Sequence, residues 1–109
     1  MTAILLTMLV TVLGLVVGSG TVTAREAAST IVIKNFSFGP SAMTVGRGAR
    51  ITVVNQDQAP HTMTASNRSF DTGTIAGGQR GEITAPSSPG NYSYGCTIHP
   101  QMTGTLTVQ

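Results

Sequence analysis

Tyr92-Ser93-Tyr94-Gly95-Cys96-Thr97-Ile98-His99-Pro100-Gln101-Met102-Thr103-Gly104-Thr105-Leu106-Thr107-Val108 closes the chain and decides how the rest is read. Tyr92 and Tyr94 share one face of a strand that runs into Cys96, and residues 104–108 alternate as a second strand. Between them Cys96, His99 and Met102 recur at three-residue intervals, in a loop short enough to direct all three toward one point. Pro100 fixes its own φ and restricts His99 to extended conformations. Gly95 and Gly104 bracket the loop and are expected to permit sharp backbone turns.

Moving outward, the periodicity remains that of strands. Residues 30–36 are β-branched and aromatic, Met43 and Val45 alternate with polar residues, and residues 50–55 form the clearest strand. Residues 62–65 read as a short strand, 70–74 as a weaker one, and 79–85 as a strand with Ile83 inward. Gly39-Pro40, Gly46, Gly77-Gly78 and residues 86–90 supply turns. This predicts an all-β domain of seven or eight short strands with no helix, a β-sandwich or Greek-key barrel. There is no internal repeat, low-complexity tract or linker, and 109 residues imply a single domain.

The beginning does not belong to that pattern. Residues 4–17 are almost wholly apolar, and Gly18-Ser19-Gly20 and Val22-Thr23-Ala24 follow, the last a small-residue motif of the A-x-A type. Residues 1–24 resemble a secretory signal peptide cleaved after Ala24, leaving 25–109 as the mature domain in an extracytoplasmic space such as a periplasm. No Lys or Arg precedes the apolar run, so an uncleaved anchor is the alternative, although about 14 residues is short against the roughly 20 that span a bilayer. All six basic and all four acidic residues lie beyond residue 24, so the formal net charge stays at +2. The basic residues are scattered, which excludes a nucleic-acid surface built on a basic stripe.

The single cysteine cannot form an internal disulfide, so Cys96 is a free thiol or is committed elsewhere. An unprotected thiol is a liability in an oxidising compartment, and commitment to a metal resolves it. The two histidines are His99 and His61, the latter in Asn55-Gln56-Asp57-Gln58-Ala59-Pro60-His61-Thr62. Taken singly, His61 reads as a surface or capping histidine, Cys96 as a buried inert thiol and Met102 as core packing. Taken together, two imidazoles, one thiolate and one thioether are the donor set of a blue-copper electron-transfer site, in which nitrogen suits both oxidation states while thiolate and thioether favour Cu(I). A Cys–His nucleophilic enzyme would also need an orienting group and an oxyanion site, and neither is evident. Structural zinc sites are closed by four Cys or His ligands, which this chain does not have.

On the Cys96–Met102 loop and the Asn55…Pro60-His61 segment, the chain resembles the cupredoxins, the amicyanin type in particular, across residues 30–108. The resemblance implies a two-sheet Greek-key β-sandwich holding one type 1 copper through His61, Cys96, His99 and Met102. It implies a monomeric one-electron carrier, not an enzyme, whose redox donor and acceptor dock near His99 on an apolar patch for which Pro60, Ile98 and Pro100 are candidates. A copper-delivery protein of the same fold is the alternative. Two positions depart from the amicyanin pattern: Ile98 replaces a proline and Gln101 replaces an aromatic residue, which removes the basis for assigning that family's methylamine dehydrogenase partner. Isoleucine restores a backbone N–H near the Cys96 sulfur, and donation from it would favour Cu(I). Thr62 stands where the family often has asparagine, and its hydroxyl is expected to tie the His61 segment to the Thr97 backbone.

Overall fold

A computed structural model describes residues 29–109. The signal peptide or anchor expected over residues 1–24 lies outside them. Eight strands follow in order: β1 Ser29–Lys34, β2 Ser37–Gly39, β3 Ala42–Val45, β4 Arg50–Asn55, β5 Thr64–Ala65, β6 Arg80–Thr84, β7 Gly90–Gly95 and β8 Thr103–Val108. They form two four-stranded sheets, ordered β2-β1-β4-β6 and β3-β8-β7-β5, with no helix among the described residues. Each sheet is mixed: β1 runs parallel to β4 and β3 parallel to β8, and the other neighbours are antiparallel.

Alternation along the strands builds the core between the sheets. Ile31 and Ile33 of β1, Ile51 and Val53 of β4, Ile83 of β6, Tyr94 of β7, and Leu106 and Val108 of β8 are all buried. Full burial of one such aliphatic side chain is worth roughly 1.5–3 kcal/mol. Tyr94 stacks edge-on against Phe38 with ring centroids 4.9 Å apart. Its hydroxyl is buried without a hydrogen-bond partner, and burial pushes that phenol up to about 12.

Two local expectations change. Residues 70–74 form no strand; that stretch contributes only one isolated bridge, Thr64 to Asp71, and a second, His61 to Ile75, follows just beyond it. The run read as one strand over 30–36 stops at Lys34, and Asn35 and Phe36 turn the chain with φ of 53° and 57°. Asn35 is at home in that left-handed region, but a Cβ there costs most residues about 1–2 kcal/mol, so Phe36 is held against a local preference.

Gly95 and Gly104 also serve differently from expectation, since neither has a positive φ. Close packing requires them. A Cβ on Gly95 would lie 2.9 Å from the Met102 carbonyl oxygen, and one on Gly104 would collide with the Tyr94 hydroxyl and the Ser41 carbonyl.

Candidate metal centre

The first histidine is positioned by the end of β4. Asn55 faces the interior and is fully buried, so its amide must be satisfied inside. Its Nδ2 donates to the carbonyls of Ala59 at 2.8 Å and Ile75 at 3.0 Å, and its Oδ1 accepts the Asp57 N–H at 3.0 Å. This shapes the loop that delivers His61. The His61 N–H donates to the Ile75 carbonyl and the Ile75 N–H to the His61 carbonyl, at 3.1 and 2.7 Å, so the backbone is clamped on both sides.

The second segment is the loop between β7 and β8. The Cys96 N–H donates to the Met102 carbonyl at 3.1 Å, and the Met102 N–H to the His99 carbonyl at 3.0 Å. These bonds close the loop and set all three residues around one turn of chain. Cys96 and Met102 are buried, while His99 is half-buried. Thr97 N–H donates to Thr62 Oγ1 at 3.0 Å, the tie expected between the two segments.

The result is a triangle of donor atoms. His61 Nδ1 and His99 Nδ1 are 3.1 Å apart, and Cys96 Sγ lies 3.8 Å from the former and 3.7 Å from the latter. The point equidistant from all three is about 2.1 Å from each, inside the roughly 2.0–2.3 Å that metal bonds to imidazole nitrogen and thiolate sulfur span. His61, Cys96 and His99 therefore fit a single metal ion. Met102 shares the loop of Cys96 and His99 and stands buried at its far end.

The surroundings prepare the donors. His61 Nε2 lies 2.9 Å from Asp57 Oδ2, and a carboxylate only accepts, so Nε2 carries the proton and Nδ1 presents its lone pair to the centre. Burial raises the Asp57 carboxyl, but the Phe36 N–H, the His61 ring and the Asn35 N–H outweigh it and hold the group below its ordinary value. Burial likewise pushes the Cys96 thiol up, yet the Thr62 N–H, both imidazoles and the His99 N–H bring it from 9.0 to about 6. The Thr62 amide is 3.3 Å from the sulfur. The backbone N–H that hydrogen-bonds the sulfur is thus that of Thr62, and the Ile98 amide considered above makes no such bond.

Two residues that the motifs did not single out belong to this centre. Asp57 sits four residues before His61. Phe36, 45% exposed, lays its ring edge-on against both imidazoles, with centroids 5.0 Å from His61 and 4.9 Å from His99. Pro60, Ile98 and Pro100, the candidates for an apolar patch, are all exposed, and Phe36 joins Ile98 as the second large exposed hydrophobic side chain among the described residues.

A family model described as a cupredoxin-like domain matches residues 4–108. No curated protein sequence matches the chain. Among solved structures it is similar to a Cu(I) form of a methionine-to-alanine variant of amicyanin, at 24% identity and TM-score 0.67, over 75% of this chain and 82% of that one. It is similar also to a reduced Cu(I) form, at pH 4, of a proline-to-glycine variant of amicyanin, at 22% identity and TM-score 0.67, over 85% and 86%. An oxidised methionine-to-leucine variant of amicyanin aligns at 20% identity and TM-score 0.66, over 74% and 81%. At these identities the likeness establishes the shared fold.

Proposed function

The chain belongs to the cupredoxin-like domain family, and on that premise we propose that it is an exported type 1 copper protein, a monomeric one-electron carrier of the periplasm or cell envelope. The observation that carries this reading is the triangle of His61 Nδ1, His99 Nδ1 and Cys96 Sγ. Copper, when bound, would supply a Cu(II)/Cu(I) couple there, and His61, Cys96 and His99, with the Met102 thioether as the fourth donor, would hold it with a set that suits both states. The aligned amicyanin structures include an oxidised and a Cu(I) form, which accords with such a couple.

The chain's residues do the rest. Cys96 offers a thiolate at neutral pH. Asp57 holds His61 in the tautomer that presents Nδ1. The Asn55 and Thr62 hydrogen bonds keep the two segments in place whether or not the ion changes charge. His99 is the half-buried member and the edge through which electrons enter and leave, with donor and acceptor docking on Phe36, Pro60, Ile98 and Pro100. Burial of His61 and Cys96 favours a resident ion over a cargo ion, which supports electron transfer over copper delivery.

The test is a Cu(II) titration of residues 25–109 followed by visible absorption, repeated with Cys96→Ser. An intense blue band saturating at one copper per chain, bleached by ascorbate, restored by oxidant and missing in the variant is the expected result. A colourless protein that takes up Cu(I) alone would move the assignment to delivery.

A further inference from the structure

Phe36 is an anomaly that the fold alone does not explain. It occupies the second position of the two-residue turn between β1 and β2, with φ of 57°, where glycine would be free of strain. Its ring is 45% exposed and is not part of the core between the sheets. A large apolar residue in a left-handed turn at the surface has to be held by something, and such outliers concentrate at functional sites.

What holds it is the metal centre's own carboxylate. Asp57 Oδ1 accepts the Asn35 N–H at 2.7 Å, and Oδ2 accepts the Phe36 N–H at 2.9 Å. The same Oδ2 accepts from His61 Nε2 at 2.9 Å. One side chain therefore fixes both a ligand imidazole and the turn beside it. The ring so delivered meets His61 and His99 at nearly right angles, 90° and 87° between planes. His61 is fully enclosed and braced by its backbone bridge, but His99 sits half-buried at the tip of a loop. Two rings from other segments meet its ring, His61 at 4.8 Å and Phe36 at 4.9 Å between centroids, and Phe36 is the exposed one of the two.

We propose that Phe36 is a positioning residue of the metal centre: anchored by Asp57, its ring braces His99 against His61 at the metal-binding separation and shields the donor nitrogens from water. The brace rests on the metal-binding reading of the site. It assigns the strained turn a purpose, since the ring's contacts with two imidazoles replace the conformational ease that glycine would offer. Loosening it frees His99 to swing outward, which speeds ion loss without loosening the sandwich.

Phe36→Gly separates these effects, because glycine relieves the turn while deleting the brace. Wild type, Phe36→Gly and Phe36→Tyr are loaded with Cu(II), and release to EDTA is timed alongside the electron paramagnetic resonance spectrum. Phe36→Gly is expected to release copper at least tenfold faster with an altered copper hyperfine splitting, and Phe36→Tyr to stay within twofold of wild type. The metal-free Phe36→Gly protein is expected to melt no lower than wild type. Release at the wild-type rate overturns the proposal, and so does a metal-free melting temperature that falls in step with faster release. A wild type that binds no copper refutes the metal reading instead. The brace is then judged on the metal-free proteins by nuclear magnetic resonance relaxation: Phe36→Gly must mobilise the His99 ring and leave the His61 ring ordered, and an unchanged His99 ring overturns it.

Discussion

The backbone amide of Thr97 donates to the side-chain oxygen of Thr62 at 3.0 Å, across 35 positions of sequence. That bond ties the segment bearing His61 to the loop bearing Cys96 and His99. Its direction is set from a distance. Thr64 donates its hydroxyl to the Asp71 carboxylate at 2.8 Å, so Thr64 Oγ1 must accept from the Thr62 hydroxyl 3.0 Å away. The Thr62 lone pairs are left for Thr97. Thr62→Val strips this chain of its middle member and leaves the Thr97 amide unsatisfied. The metal-free variant is expected to lose about 1–3 kcal/mol in denaturant unfolding, with Thr62→Ser close to wild type.

The Asp57 carboxylate gathers three N–H groups, and an asparagine in its place has one acceptor oxygen and cannot serve them all. Asp57→Asn is expected to weaken copper binding by about 10–100-fold in a competitive titration, as loss of a histidine's supporting acceptor does. Unchanged affinity would mean that the backbone bridge to Ile75 orients His61 unaided.

With the Cys96 thiol at about 6 in the native state and 9.0 as its ordinary value, ionisation favours the metal-free fold. The group's pKa is depressed on folding, so this contribution is complete above about pH 9 and drains away as pH falls toward 6. Thiolate ultraviolet absorbance of the metal-free protein should show its midpoint near pH 6, and the stability advantage of wild type over Cys96→Ser should shrink across that interval. A midpoint near 9 would contradict the donor arrangement around the sulfur.

Ile98→Pro removes an amide that makes no hydrogen bond to the sulfur, whose backbone donor is the Thr62 N–H at 3.3 Å. The reduction potential of the copper-loaded variant is therefore expected to move by less than about 30 mV. Losing a hydrogen bond to a charged acceptor, at roughly 1.5–3 kcal/mol, would shift a one-electron potential by about 60 mV or more. A shift of that size would identify Ile98 as a donor.

Gly104→Ala places a methyl group against the Tyr94 hydroxyl and the Ser41 carbonyl where β7 and β8 pair. Overpacking of this kind costs about 1–3 kcal/mol, measured as a lower denaturation midpoint. Combining it with Tyr94→Phe, which removes the unpartnered hydroxyl, should recover part of the loss.

The local pattern of residues was enough to foresee the sandwich and the Cys96–Met102 loop, because side-chain alternation and three-residue spacing are properties of neighbours along the chain. Residues 50–55 alternate as a strand should and form one, and Thr62 makes the expected tie to Thr97. Phe36 falls inside the stretch 30–36 whose composition is that of a strand, although Asn35 before it is a turn signal, and nothing in the sequence marks Asp57 out among the four acids. Their roles arise because β1 runs parallel to β4 with Ile33 opposite Asn55, which sets the Asn35-Phe36 turn beside a carboxylate 21 positions further on. Which strand lies beside which depends on burying both sheets at once, an outcome of the whole chain's packing to which no short stretch is committed. The donors of the site were therefore visible in one dimension, and the groups that hold them in place came together only in three.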